Sequence, residues 1–206
     1  MVSRRRLLTL ALATPAALAA LGPARGARTA RAAPSPPSSP PLRNPRLRSP
    51  LPSGVMAGYA GDTGLDIGGT ALTVYAIAAG TLDYSERGHT RWTTGRDTPN
   101  SVRLALDEPL AVGGRDARRV THVYYTHMAG LTYAQAEGAP TRRRVAAGEP
   151  LGVSGVGNGV PHLHIGLLCD GQVEQDTWES LLREHEIRRL LGGYANGERL
   201  PGADAR

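Results

Sequence analysis

The stretch "GVPHLHIG" at residues 159–166 places two histidines, His162 and His164, on either side of one leucine. Side chains alternate between the two faces of a β-strand, so these two imidazoles point to the same face. Burying two imidazoles side by side is unfavourable unless a metal ion or a bound substrate uses them. The alternative is a pair of solvated histidines on the face of a sheet. The stretch therefore predicts a strand that carries a candidate site on one face.

Short segments of strand-like sequence recur along the chain and are separated by glycine and asparagine turns. They lie at residues 72–80, 101–106, 120–128, 150–157 and 162–168. A single segment has leucines near helical spacing, and it predicts a helix over about 177–192, capped by Asp176. The predicted fold is all-β, an antiparallel sheet or sandwich with this one C-terminal helix.

The N-terminus has the features of an export signal. "SRRRLL" at residues 3–8 fits the twin-arginine pattern, and an apolar run and an "ARA" end follow it. Residues 1–32 are therefore expected to direct export to the periplasm, cell envelope or exterior, with cleavage after Ala32. An ordinary secretory signal and an uncleaved anchor are the alternatives. No stable membrane span is expected, because the apolar run is short and Pro15 interrupts it.

Composition divides the remainder of the chain into a linker and a domain. Residues 33–53 contain 8 prolines in 21 positions, which predicts an extended, polyproline-like linker. Residues 54–206 are enough for one domain, and they hold 15 basic and 18 acidic residues. This net negative charge argues against a nucleic-acid-binding domain. Cys169 is the only cysteine, so it forms no internal disulfide and is expected to be buried as a small apolar residue.

Two further segments supply residues that suit a metal site. His127 ends a tyrosine-rich strand in "YYTHMAGL", and Asp66 lies in the glycine-rich approach to another strand. Together with His162 and His164, these residues offer the nitrogen and oxygen donors that zinc accepts. A bound zinc ion makes water a usable nucleophile near neutral pH, and a nearby histidine can move its protons. The alternative is an exported β-domain whose histidines are incidental.

The order of these blocks resembles that of the lysostaphin- and LytM-type zinc endopeptidases, which cut peptide crosslinks in bacterial cell walls. That family has a His-x-x-x-Asp motif, then Tyr-x-His-Leu, then a glycine-rich stretch that ends in His-Leu-His. The chain matches them with Asp66, with "YTHM" at 125–128 and with the stretch 147–167. The resemblance covers roughly residues 60–175, apart from an unusual stretch between about 83 and 121. It implies a LytM-like fold with a groove, and peptidoglycan or another peptide as the substrate.

The resemblance also implies a role for each site residue. Asp66 and His164 are expected to bind zinc, while His162 and His127 are expected to orient water and stabilise the oxyanion. The chain departs from the family at Asp62, which replaces the first histidine ligand. An aspartate also binds zinc, so Asp62 is expected to complete the ligand set, although Mn²⁺ or Ca²⁺ compete better for a site with two carboxylates. The alternative function is a catalytically degenerate module that binds the cell wall or regulates another hydrolase.

Other polar residues receive structural interpretations. His122 lies five positions before His127 and is predicted at the surface, on the opposite side of the strand. His89 and His185 are predicted to be solvated. The tyrosines of the 120–128 strand, Tyr124 and Tyr125, are expected to pack in the sheet, and the three arginines 142–144 are expected to form a solvated loop.

Overall fold

The computed structural model describes residues 38–39, 41–42, 44–57, 63–90, 94–113, 118–175 and 181–191. The export signal predicted for residues 1–32 lies outside these ranges, as do Asp62 and the predicted helix cap Asp176. None of the helices within the described ranges is long and apolar enough to cross a membrane.

Within these ranges the chain forms nine β-strands and one short α-helix. They are β1 Val55–Ala57, β2 Leu65–Gly68, β3 Thr73–Tyr75, β4 Gly80–Arg87, β5 Asn100–Ala111, β6 Arg119–Leu131, β7 Arg144–Val145, β8 Pro150–Gly157, β9 Val160–Cys169 and α1 Glu184–Leu190. Neighbouring strands pair antiparallel in the order β1-β2-β9-β8-β6-β5-β4-β7, and β3 pairs with β8. The prediction of an all-β, antiparallel fold is confirmed.

The core fixes the register between β2 and β9. Leu65 pairs with Ile165, and Ile67 pairs with Leu163, and all four side chains are buried in the core. Fully burying one such side chain stabilises the fold by about 1.5–3 kcal/mol. The residues between them point to the opposite face, because side chains alternate along a strand. A slip of one residue would exchange the two faces, so apolar packing on one face sets the polar pairs on the other.

Strand β6 changes its partner at a single residue. Its residues Val120 to Thr126 pair with β9, and its residues Met128 to Leu131 pair with β8. His127 lies between the two pairings and has a φ of 59°. This left-handed conformation is uncommon for residues other than glycine, although histidine is among those that adopt it more often. The sheet therefore divides at a predicted site residue.

The C-terminal half of the predicted linker, residues 33–53, packs against the sheet. Leu47 and Leu51 are fully buried, and the N–H group of Arg48 donates a hydrogen bond to the carbonyl of Ile77 at 2.8 Å. The linker prediction is therefore wrong for this part of the segment. Prolines fix φ and remove backbone donors, but leucines between them can still enter a core. We call this packed segment, residues 44–53, the strap.

The C-terminal helix is shorter than the predicted 177–192. It begins at Glu184, and the N–H group of Arg183 before it donates to the carboxylate of Glu186 at 2.9 Å. Leu181 instead forms an antiparallel bridge to Leu168, at the edge of β9. The first described residues of the predicted helix therefore extend the sheet, because the open edge of β9 offers backbone partners that an isolated helical turn lacks.

Candidate metal centre

Asp66 and His164 form the centre of the site. They are direct partners in the pairing of β2 with β9. The Oδ1 atom of Asp66 lies 2.6 Å from Nδ1 of His164 and 3.8 Å from Nε2 of His162. The side chains of Asp66 and His164 are 16% and 19% exposed. A carboxylate oxygen and imidazole nitrogens thus converge at one point that solvent can reach.

The ring of His127 lies beside this point, close to the rings of His162 and His164. The ring centroids of His127 and His162 are 4.9 Å apart, and those of His127 and His164 are 6.4 Å apart. Nδ1 of His162 lies 2.9 Å from the carbonyl oxygen of Val160. Because a carbonyl only accepts, this nitrogen carries the proton, and Nε2 faces the site. In the described part of the chain, the buried Nδ1 atom of His127 has no hydrogen-bond partner.

The electrostatics of the site give these groups different charges. Burial raises the pKa of Asp66, but the hydrogen bond with His164 and the potential of the neighbouring histidines lower it further than burial raises it. Burial lowers the pKa of His127 to about 4, and repulsion from His162 and His164 adds to this effect. Near neutral pH, Asp66 is therefore an ionised acceptor, and His127 is a neutral imidazole.

Glycines leave room for two of the rings. A Cβ atom built at Gly157 would overlap the ring of His127, lying 2.6 Å from its Nδ1. A Cβ atom at Gly64 would overlap the ring of His164, lying 2.5 Å from its Nε2. Both rings thus lie directly against the backbone, and any other residue at either position would displace them.

Tyr124 is a site neighbour that the sequence analysis assigned to packing alone. Its hydroxyl lies 3.3 Å from Nε2 of His164, and the two rings stack with centroids 5.9 Å apart. Gly166 is its partner in the sheet, and a Cβ atom there would overlap the tyrosine ring. Strand alternation places Gly166 on the same face as His164, two residues away. Once the pairing of β6 with β9 is known, the glycine opposite Tyr124 therefore indicates that the tyrosine ring lies beside His164.

The donors beside Asp66 suit zinc as far as they are described. Carboxylate oxygen and imidazole nitrogen are both zinc ligands. The third predicted ligand, Asp62, lies outside the described residues. Across the described ranges, no group of three or more His, Cys, Asp or Glu residues is arranged to hold a metal ion. Asp66 and His164 therefore supply a pair of fitting donors, and the full ligand set remains a prediction.

His122 is not the surface residue that we expected. It is half-buried, and its Nε2 lies 3.5 Å from Oδ2 of Asp83 on β4. Asp83 also accepts hydrogen bonds from Nε of Arg103 at 3.0 Å and from Nη1 of Arg142 at 2.7 Å. We call these four residues the Asp83 cluster. The surface prediction is wrong because β4 and β5 bring this carboxylate and its guanidinium partner Arg103 close to His122 on β6.

The remaining predictions concern residues outside the site. His89 is exposed, stacks on Tyr84 with centroids 4.1 Å apart and lies 2.9 Å from the carboxylate of Glu86. The arginines 142–144 are exposed as expected, and each one pairs with a carboxylate. Cys169 is buried, as predicted, and burial raises the pKa of its thiol to about 11.

Comparison with known proteins finds similarity at the level of structure. No family model and no curated protein matches the chain. The peptidase lysostaphin from Staphylococcus simulans is 18% identical, with a TM-score of 0.48 over 74% of this chain and 58% of that one. A protein from Pseudomonas aeruginosa named as a peptidase M23 is 16% identical, with a TM-score of 0.45 over 76% of this chain and 55% of that one.

The catalytic domain of lysostaphin, crystallised without phosphate, is 18% identical, with a TM-score of 0.40 over 66% of this chain and 89% of that domain. The chain thus spans little more than half the length of the two longer proteins.

Proposed function

We propose that this protein is an exported zinc endopeptidase that hydrolyses peptide bonds, with the peptide crosslinks of peptidoglycan as its substrate. The observation that carries the proposal is the 2.6 Å approach of Asp66 Oδ1 to His164 Nδ1 beside the rings of His162 and His127. Asp62, where the family has its first histidine ligand, would be the third ligand, and the N-terminal pattern supports export.

Each residue of the site has a role in this reaction. Asp66 and His164, with Asp62, would hold the ion, which when bound supplies Lewis-acid activation of water and of the scissile carbonyl. The hydrogen bond from Nδ1 of His162 to Val160 leaves Nε2 as the proton acceptor facing the site. His162 would therefore take a proton from the attacking water and return it to the leaving amine.

His127 has a different task from His162. Burial keeps its imidazole neutral at neutral pH, so one ring N–H group is available as a donor, with no need to release a proton during the reaction. Such a donor, fixed in place before the reaction, would stabilise the negative charge that develops on the carbonyl oxygen.

Metal content and hydrolysis test this proposal together. The exported chain, purified without a histidine tag, should hold about one equivalent of zinc per chain, as a single three-ligand site requires. It should release peptide fragments from crosslinked peptidoglycan, lose this activity with a chelator and recover it with zinc. His162→Ala should abolish hydrolysis and retain zinc. His185→Ala, on the exposed face of α1, is the matched control and should change neither.

Two results would contradict the proposal in different ways. Zinc content well below one equivalent after growth with ample zinc would exclude the metal site. Stoichiometric zinc without hydrolysis of any wall substrate would favour the degenerate module, which binds the wall or regulates another hydrolase.

A further inference from the structure

The junction in β6 leaves His127 outside both strand pairings. Thr126 is paired with β9 and Met128 with β8, and His127 between them has a positive φ. A non-glycine residue keeps such a conformation only when its surroundings hold it there. The contacts of the His127 main chain therefore hold it in this conformation.

Thr98 fills this junction. Its hydroxyl lies 2.8 Å from the carbonyl oxygen of His127 and donates a hydrogen bond to it. The same hydroxyl accepts the N–H group of Val156 at 2.9 Å, and the N–H group of Thr98 donates to the carbonyl of Val156 at 2.9 Å. A Cβ atom at Gly155 would overlap this hydroxyl, so a glycine provides the space. Thr98 thus links His127 to β8.

Asp97 anchors the same segment to the turn between β8 and β9. Its carboxylate accepts the N–H groups of Asn158 at 2.8 Å and Gly159 at 3.0 Å. Desolvation opposes ionisation, but these bonds and those from Thr94 outweigh it and lower the pKa of Asp97 to about 2. Hydrogen bonds of Thr98 therefore fix this segment to His127 and β8, and those of the Asp97 carboxylate fix it to the turn that follows β8.

We infer that Thr98 is a positioning residue for His127. Its hydroxyl holds the His127 backbone in the left-handed conformation, and this places the ring against Gly157 and 4.9 Å from the ring of His162. Thr98 comes from the stretch between about 83 and 121, outside the motif blocks. The expected effect of Thr98 on catalysis rests on the proposed function, whereas its effect on the position of the His127 ring does not.

Three variants of the full chain separate positioning from general stability. Thr98→Val removes the hydroxyl with little change of shape, and Thr98→Ser keeps it. Thr121→Val, on β6 like His127, is the matched control, because the Thr121 hydroxyl also accepts a backbone N–H group, that of Gly171 at 2.9 Å. Two readouts are measured. The first is the ¹⁵N-edited NMR spectrum of the histidine rings, which reports the ring signals and the contact between His127 and His162. The second is kcat and KM on crosslinked peptidoglycan fragments.

Thr98→Val should shift the His127 ring signals and weaken the contact with His162, while zinc content remains unchanged. Its kcat should fall by roughly 10- to 100-fold with little change in KM, since a small misplacement of a catalytic group costs about this much. Thr98→Ser should restore both readouts. Thr121→Val should match the wild type in the His127 signals and in kcat, although the signals of His122 should shift because the Thr121 hydroxyl lies 3.0 Å from its Nδ1.

Unchanged His127 signals in Thr98→Val would overturn the inference, and so would equal effects of Thr98→Val and Thr121→Val. If the wild-type protein cleaves no substrate, the proposed function fails, and the NMR comparison alone still decides whether Thr98 sets the position of His127.

Discussion

Two carboxylates in this sheet, the partly buried Asp66 and the buried Asp83, have different partners. Asp83 accepts hydrogen bonds from the guanidinium groups of Arg103 and Arg142. The basic groups that pair with Asp66 in the described structure are imidazoles. Arginine is always charged, so the protein itself balances the negative charge of Asp83. An imidazole can be neutral, so the negative charge of Asp66 can be balanced by a bound cation. The partners, rather than the residue type or its burial, distinguish a structural carboxylate from a candidate ligand.

The largest expected effect comes from Asp66→Asn. The amide is a poor replacement for a charged metal ligand, so zinc content should fall to a small fraction of an equivalent. Hydrolysis should fall by roughly 10³-fold or more, because even outer partners of metal ligands cost about 10- to 100-fold. Metal analysis and initial rates measure both. Full zinc content in this variant would remove the distinction between the two carboxylates.

Asp83→Asn should instead destabilise the fold. It removes one of the two carboxylates that pair with the buried guanidinium of Arg103, the other being that of Glu137, and breaking a buried ion pair typically costs about 3 kcal/mol. Urea denaturation should show this loss while zinc content stays at the wild-type level. Asp107→Asn is the control, because its partner Arg144 is 71% exposed, and a change within about 0.5 kcal/mol is expected there. Loss of zinc with Asp83→Asn would show that the two regions are coupled.

Gly157→Ala tests the site region alone. The new methyl group would overlap the His127 ring, so the ring must move away from His162. A fall in kcat of roughly 10-fold is expected with zinc retained, since His127 is not a predicted ligand. Gly113→Ala, where the methyl group enters open space, serves as the comparison and should leave the rate unchanged. Equal rates for the two variants would exclude a role for the His127 position.

The smallest effect concerns the pH dependence of stability through Asp97. Its pKa of about 2 in the fold lies below the ordinary value of 3.8, so the folded state favours the ionised form. The stabilisation is therefore fully present above about pH 4 and is lost as the pH falls toward 2. Wild type and Asp97→Asn should differ in urea midpoint at pH 7 and converge near pH 2. A constant difference across this range would exclude a contribution from the charge.

Local patterns predicted the strands that carry the histidines. The β8 boundaries match the predicted 150–157, and β9 begins and ends within two residues of the predicted 162–168, because glycine turns and strand alternation are read within one segment. The same alternation explains why His162 and His164 share a face. The meeting of Asp66 with His164 needed the resemblance to a known family, since the two lie on strands far apart in the sequence.

Tertiary contacts account for what the sequence analysis missed. The neighbours of His122 come from β4 and β5, and no local sequence pattern in β6 predicts them. Thr98 lies in a loop, and its partner is a main-chain carbonyl at a junction between strands. The high proline content of the strap predicted a linker, although Leu47 and Leu51 are fully buried. Each case depends on which distant segments meet, which periodicity does not specify.

The strap also determines where an autonomous fragment can start. A fragment expressed from Gly54, the boundary that composition suggests, would lack Leu47 and Leu51 and open the core at their place. The exposed apolar surface would invite aggregation, and such a fragment could look like an inactive protein for reasons unrelated to its metal centre. A fragment that begins ahead of Leu42, which also belongs to the core, keeps the core closed, so that failure to bind zinc or to cleave a substrate would be informative about the site itself.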